Sequence, residues 1–172
     1  AYFVFLSGTA YVYVNLMGGA KEEIGLWFLG ITVFYIAGNR GTSRFAASHG
    51  IASVNVLGGG LACVATAALL VVEMIWGNSA LSFFGIICLM ALGNGLCISS
   101  GIAAAISADP ARVGSAAGLS GSMQLGFGGL ASWIVSIYLT DSAFPLIFTM
   151  ALLAGAGFVA SVAGAVYGRR HS

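Results

Sequence analysis

The sequence predicts an all-α protein that crosses a membrane with six helices. Six long apolar stretches fill almost the whole chain, and the composition is 59% hydrophobic with only 6% charged residues. A soluble domain carries about 25% charged residues, and the mean hydropathy here is +1.01. About 20 apolar residues in a helix cross the roughly 30 Å hydrocarbon core of a bilayer. The chain is therefore expected to work inside a lipid bilayer.

Each predicted helix is a continuous apolar stretch between two polar connections. The stretches are too long for the strands of a membrane β-barrel, which are about ten residues of alternating polarity. Because lipid offers no partner for unpaired backbone groups, helices are the remaining choice. In chain order, the predicted helices cover residues 1–18, 24–39, 50–75, 80–107, 114–139 and 143–168. The polar connections are predicted at 18–23, 39–49, 76–79, 108–115 and 140–143.

The cationic residues are concentrated on one side of the predicted membrane. With six crossings, one side of the membrane has most of the acids and a single cationic residue, Lys21. The other side has a single acid, Asp109. The positive-inside rule then places both termini in the cytoplasm. The five cationic residues on the cytoplasmic side are Arg40, Arg44, Arg112, Arg169 and Arg170.

The start of the chain does not look like a natural beginning. Ala1 stands where Met would be expected, and it lies inside an apolar run without the basic start of a signal peptide. We therefore expect this chain to be part of a longer protein.

The cysteines point to packing rather than to chemistry. Cys63, Cys88 and Cys97 all lie in apolar runs, and none has metal-ligand spacing or a neighbouring histidine. Free cysteines in such places act as small apolar residues. No metal site, cofactor or disulfide is expected.

Glycine is unusually frequent, with 26 copies. Small residues let membrane helices approach closely, and the fifth predicted helix has them at steps of three and four. We expect this face to be closely packed, with one polar side chain in its middle. Its members are Gly114, Ala117, Gly121, Gln124 and Gly128.

Few polar side chains in the predicted helices could bind a ligand. Buried amides in lipid need partners, so they should face the protein interior or a cavity. Each could instead form a hydrogen bond between helices that only fixes packing, and this alternative is strongest for Asn55. No acid lies at mid-membrane, and Glu73 is near the outer end of the third helix. The polar residues are Tyr11, Tyr13, Asn15, Tyr35, Asn55, Asn94, Ser99, Ser100, Ser120 and Gln124.

Enzymatic and nucleic-acid functions find little support. The segment 118–121 matches the Gly-x-Ser-Gly pattern of rhomboid intramembrane proteases. That chemistry needs a histidine base in a later helix, and the only later histidine is His171 in the cytoplasmic tail. Glycines 58–60 lack the Lys-Ser/Thr of a phosphate loop, and the scattered loop charges do not indicate nucleic acid.

Three segments carry a resemblance to the C-terminal half of a major facilitator superfamily transporter. The first resembles the family's seventh helix and the start of the eighth: residues 7–12 (Ser-Gly-Thr-Ala-Tyr-Val), then Gly18, Gly25 and Phe28. The second stands where the family's second half keeps a degenerate Gly-x-x-x-Asp-Arg cytoplasmic loop: Gly38, Asn39, Arg40 and Arg44. The third resembles the junction of the tenth and eleventh helices: Pro110, Gly114, Ala116, Leu119, Gly121, Gln124 and Gly128.

The chain is most similar to the Bcr/CflA-type drug:proton antiporters of the bacterial inner membrane. The resemblance implies a twelve-helix protein whose N-terminal six helices, including the main proton-coupling acids, are absent here. It implies alternating access and export of small, mainly apolar, drug-like molecules coupled to protons. Two departures are Ala10, where the family has proline, and the missing acid in the loop motif. The implied substrate-binding residues are Tyr11, Asn15, Tyr35, Asn94, Ser120 and Gln124.

Two other interpretations remain open at the level of sequence. One is a self-standing six-helix membrane protein that works as a homodimer. The other is a packing module that transports nothing. An in-frame set of six further helices upstream in the gene would favour the half-transporter.

Overall fold

The computed structural model describes residues 1–77, 79–108, 113–138 and 142–171. Every regular element in these ranges is helical, which confirms the all-α class. Pro110, Arg112, Asp109 and Asp141 lie outside the described residues. The elements are α1 (Tyr2–Tyr11), a π-helical segment (Val12–Leu16), a short 3-10 helix (Lys21–Glu23), α2 (Ile24–His49), α3 (Ile51–Trp76), α4 (Ala80–Ala108), α5 (Val113–Tyr138) and α6 (Phe144–His171).

Three helices are long and apolar enough to cross a membrane, judged by length and composition over the described residues. They are Ile51–Trp76, Ala80–Ala104 and Phe144–Gly168. The first helix and its π-helical extension form a shorter apolar helix, Tyr2–Leu16. α2 and α5 have 26 residues each, but α2 carries Arg40 and Arg44, and α5 is rich in glycine and serine. The structure is thus consistent with a membrane protein and supports three of the six predicted crossings by these criteria.

The predicted polar loop at 39–49 is wrong, because α2 continues through it to His49. Polar residues can continue a helix, and α2 ends only at Gly50, whose φ is 79°. A left-handed φ of this kind suits glycine at a helix C-terminus. Asn39 keeps a partner inside the bundle, because the Ser99 hydroxyl of α4 donates to its Oδ1.

α4 is the centre of the bundle and packs most extensively on α3 and α2. Glycines permit both contacts. A Cβ on Gly93 would lie 2.6 Å from the carbonyl oxygen of Gly58 in α3, and one on Gly95 would lie 3.2 Å from the Cα of Gly38 in α2. A real Cβ essentially never comes within 3.0 Å of such an atom, and a Cβ on Gly95 would also press on the backbone oxygen of Tyr35, so both contacts require glycine. α4 is therefore held from two opposite sides at positions two residues apart.

The expectation that the small-residue face of α5 is closely packed is wrong for most of its length. A Cβ on Gly114 or Gly121 would meet no atom within 4 Å among the described residues, and Ala117 is exposed. Only Gly128 is tight, because its Cβ would lie 2.7 Å from the Phe3 ring. α5 packs mainly on α1 and touches α4 and α6 less. It is therefore the most exposed helix of the bundle.

A cluster of aromatic rings joins the π-helical segment to the first turns of α2 and α4. The rings of Trp27 and Phe84 are stacked with centroids 4.7 Å apart, and Tyr13 meets Phe84 edge-on at 5.4 Å. The Tyr13 hydroxyl donates a 2.5 Å hydrogen bond to Glu23 Oε2. Gly19 packs directly on the Tyr13 ring, where no side chain would fit. These contacts fix the connection between α1 and α2.

Candidate functional site

The candidate site is a cleft of about 780 Å³ bounded by α1, α2, α4, α5 and α6. Four of the six predicted binding residues line it: Tyr35, Asn94, Ser120 and Gln124. They come from three helices that are distant in sequence, so only the tertiary packing brings them together. Among the described residues in the lining, none has a charged side chain.

Asn94 lies at the middle of α4, fourteen residues from either end. It stands between Gly93 and Gly95, which press against α3 and α2 on opposite sides of the helix. Successive residues on a helix are about 100° apart, so Asn94 projects between these contacts, toward the cleft. Its Nδ2 atom is buried and has no hydrogen-bond partner among the described residues. A buried amide donor without a partner costs free energy, and such groups are rare in native proteins.

Tyr35 of α2 forms part of an aromatic wall. Its ring is stacked on that of Tyr2, with centroids 6.2 Å apart and an interplanar angle of 16°. Both rings line the cleft. The wall offers a flat apolar surface with phenol hydroxyls at its edge, an arrangement suited to a ligand with an aromatic ring.

One face of α5 forms the opposite side of the cleft. Ser120 and Gln124 are one turn apart, and Met123 and Phe127 lie beside them at the same helical spacing. The face alternates between groups that can make hydrogen bonds and flexible or aromatic apolar groups. Such a mixture is typical of pockets for small apolar molecules with a few polar groups.

Tyr11 and Asn15 do not join the other four residues. α1 contributes only its first turn to the cleft, through Tyr2 and Phe3. Tyr11 is nine residues farther along, which is about 14 Å in a helix. Asn15 lies in the π-helical segment Val12–Leu16, where four residues no longer make one turn, and it is exposed. The expectation that Tyr11 and Asn15 share one face of the first helix stays a prediction; both side chains are exposed, and neither lines the cleft.

Several lining residues were missed by the sequence analysis. Tyr2 and Phe3 stand at the very start of the chain, where no pattern identifies a face. Met123 and Phe127 could have been found, since they share the helical face of Ser120 and Gln124. The remaining apolar lining includes Ile98, Ile102 and Leu153.

Asn55 serves packing, which was the alternative considered for the polar residues. Its Oδ1 accepts a 3.4 Å hydrogen bond from Ser161 of α6, and its backbone oxygen accepts one from the Cys97 thiol of α4. It therefore links three helices and lies outside the cleft lining.

The residues of the predicted cytoplasmic motif are placed on a helix rather than in a loop. Arg40 and Arg44 lie one turn apart near the end of α2 and line a separate surface groove of about 690 Å³, with Phe45, Ser48 and His49. Gly38 is buried against the backbone of Leu92 in α4. One end of the motif, Gly38, thus packs against α4, and the other end, Arg40 and Arg44, forms an exposed cationic surface.

Metal binding has no structural support in the described part of the chain, where no group of three or more His, Cys, Asp or Glu side chains could hold an ion. The three cysteines are free thiols. No family model, no curated protein and no solved structure matches the chain.

Proposed function

We propose that this chain is one six-helix bundle of a major-facilitator-type transporter that exports small, mainly apolar molecules by alternating access. The observation that carries the proposal is the convergence of Tyr35, Asn94, Ser120 and Gln124 on one apolar-walled cleft. The cleft volume of about 780 Å³ falls in the range of about 300–1,000 Å³ for small-molecule sites. Transporter sites of this class lie near the bilayer midplane, and Asn94 is at the middle of α4.

The proposal places all six helices across a bacterial inner membrane, with both termini in the cytoplasm. Exposed large apolar side chains on α2 and α5 support it, because lipid or a second bundle can cover them but water would not favour them. On α2 they are Leu26, Leu29, Val33 and Ile36; on α5 they are Leu125, Phe127, Leu130 and Trp133. Arg40 and Arg44 would mark the cytoplasmic end of α2.

Protons are the proposed coupling ion, and the groups that carry them would lie in the other six helices. A titratable group inside the membrane is the usual requirement for proton coupling. The described lining of the cleft has no acid, so this bundle would contribute recognition rather than proton transfer. No catalytic role is proposed for Ser120.

The test is drug accumulation in bacterial cells that express the full-length gene. Cells with the protein should accumulate less of at least one neutral apolar antibiotic, and a protonophore should abolish the difference. The double variant Asn94→Leu with Gln124→Leu should behave like the empty vector while reaching the membrane in normal amounts. Equal accumulation with and without the wild-type protein, across a broad panel, would contradict the transport function.

A homodimer of two such bundles is the second candidate. It is favoured by one observation, the exposure of most of α5 along the cleft side of the bundle. A second copy could cover that surface as a second half would. The mass of the purified particle, after subtraction of detergent, distinguishes one chain of twelve helices from two chains of six.

A further inference from the structure

Six exposed side chains form a straight row along α2 that ends in two arginines. The row has steps of three and four residues, the spacing that keeps side chains on one face of a helix. Its four apolar members are between 44% and 76% exposed, and both arginines are exposed. In chain order the members of this α2 row are Leu26, Leu29, Val33, Ile36, Arg40 and Arg44.

The α2 row faces away from both the bundle and the cleft. Gly38 and Thr42 are buried, and each lies two residues from Arg40, which is about 160° around the helix. Tyr35 lines the cleft and has the same angular separation from Val33. The second bundle, which the proposed function places across the cleft, would therefore leave the α2 row to the surrounding lipid.

A groove lies beside the two arginines at the end of the row. It has a volume of about 690 Å³, and Arg40 and Arg44 line it together with the small residues Ala37, Gly41 and Ser48. The small side chains leave room next to the guanidinium groups. Among the described residues that line the groove, none is acidic.

The acids of the described ranges are too far from these arginines to neutralise them. Glu22 and Glu23 precede α2, and Glu23 is seventeen residues from Arg40, about 25 Å along a helix. Glu73 is in the last turn of α3, about 35 Å along that helix from Gly50. Exposed charges more than about 8 Å apart are largely screened at physiological ionic strength. The groove is therefore suited to an anion from outside the chain.

The α2 row as a whole has the dimensions of a phospholipid in one leaflet. Guanidinium groups bind phosphate oxygens by paired hydrogen bonds. From Leu26 to Ile36 the row runs for about 15 Å, which is half of the roughly 30 Å hydrocarbon core. Arg40 lies about 6 Å beyond Ile36, where a headgroup would follow the acyl chain. A free phosphate ion would leave the apolar part of the row uncovered.

We propose that the α2 row binds an anionic phospholipid, with its phosphate on Arg40 and Arg44 and an acyl chain along the four apolar residues. The inference rests on the proposed function only for the placement of α2 across the membrane. It gives the two arginines a role beyond topology, because they select the lipid by its charge.

Competition between two lipids with identical acyl chains tests this selection. The purified full-length protein in detergent receives equal amounts of dioleoyl phosphatidylglycerol and dioleoyl phosphatidylcholine, and native mass spectrometry measures how much of each stays bound. We expect phosphatidylglycerol to be retained about ten-fold more, because arginines near the membrane surface attract anionic headgroups. Excess inorganic phosphate at constant ionic strength should not displace it, since the ion has no acyl chain.

Variants assign the preference to the α2 row. The double variant Arg40→Gln with Arg44→Gln should retain both lipids equally, and Arg44→Gln alone should keep only part of the preference. The matched control is Lys21→Gln, which removes one charge in the 3-10 helix before α2 and should keep the full preference. Val33→Ser with Ile36→Ser should weaken the retention of both lipids alike, because it removes apolar contact area.

Three results would overturn the proposal: equal or absent retention of both lipids by the wild type, an unchanged preference in the double arginine variant, or displacement of phosphatidylglycerol by inorganic phosphate. The third result would make the groove a site for free phosphate. If the double variant does not fold, the comparison of Arg44→Gln with Lys21→Gln decides.

The drug-accumulation assay separates this inference from the transport function. Lipid selection by a protein that exports no drug would contradict the transport function alone. Drug export by a protein that does not distinguish the two lipids would contradict the lipid site alone.

Discussion

Gly95 of α4 and Gly38 of α2 touch through their backbones: a Cβ on Gly95 would lie 3.2 Å from the Gly38 Cα and 3.0 Å from the Asn39 nitrogen. Two residues earlier, Gly93 makes the corresponding contact with Gly58 of α3. The residue between them, Asn94, is left facing the cleft. The same glycines therefore build the core of the bundle and orient the polar group of the candidate site.

Alanine at Gly95 should destabilise the bundle. The new methyl group would press against backbone atoms of α2 that cannot move aside, and overpacking of this kind costs about 1–3 kcal/mol. The matched control is Gly85→Ala in the same helix, where a Cβ would meet no atom of the described residues within 4 Å. That change should be neutral or slightly stabilising, because alanine favours helices. Thermal melting in detergent compares the two, and equal melting temperatures would contradict the contact.

Asn94→Leu and Asn55→Leu should have opposite effects. Asn94 Nδ2 has no partner in the described part of the chain, so the replacement of Asn94 should leave the melting temperature unchanged or raise it, and it should reduce drug export. Asn55 bonds Ser161, and hydrogen bonds between membrane helices average about 0.6 kcal/mol. Its replacement should lower melting slightly and leave the drug profile unchanged. A lowered melting temperature for both, with normal drug profiles, would make Asn94 a packing residue too.

Gly128→Ala should perturb α5, whereas Gly121→Ala should not. The first change forces the Phe3 side chain to move, since a Cβ would come within 2.9 Å of Phe3 Cβ. The second adds a methyl group that would meet no described atom within 4 Å. Protease sensitivity of α5 in detergent measures the difference. If Gly121→Ala preserves stability but reduces transport, a partner surface covers that face in the active protein.

Tyr13→Phe should weaken the connection between α1 and α2 without disturbing the rings. The change removes the hydroxyl that donates to Glu23 and keeps the edge contact with Phe84. Glu23→Gln retains an acceptor oxygen, so it should shift the melting temperature less. A larger effect from Glu23→Gln than from Tyr13→Phe would show that the glutamate charge matters more than this hydrogen bond.

A reporter that works only in the cytoplasm should be active when it is fused after Ser172. The expectation follows from the five-to-one distribution of cationic residues in the six-crossing topology. Alkaline phosphatase, which needs the periplasm, serves as the opposing reporter at the same position. High phosphatase activity would reverse the topology.

The beginnings of the last four helices follow closely from the sequence because a glycine or a short polar segment precedes each apolar run. α3 starts at Ile51, α4 at Ala80, α5 at Val113 and α6 at Phe144, each within one residue of the predicted position. The end of α2 did not follow, because Asn39 and Arg40 resemble a loop by polarity but not by backbone preference. Only Gly50 has the backbone geometry that ends the helix.

The candidate site could be predicted in part for a related reason. An amide within an apolar helix indicates a position that faces protein or a cavity rather than lipid, so Asn94 and Gln124 could be identified without knowing the packing. Tyr11 and Asn15 have the same chemistry, but the level of each residue along α1 depends on how the helix is placed against its neighbours. The polarity of a residue contains no information about that placement. The π-helical segment also changes the angle between successive residues, which a sequence pattern does not show.

The glycine contacts of α4 also determine how the bundle can deform. Backbone-to-backbone contacts have no flexible side chains to absorb displacement, so α2, α3 and α4 should behave as one stiff slab. α5 is coupled to this slab more weakly and rests mainly on α1. Thermal motion should therefore move α5 relative to the slab more easily than it moves the three slab helices relative to one another. Since the cleft lies between α5 and the slab, this motion should mainly change the width of the cleft.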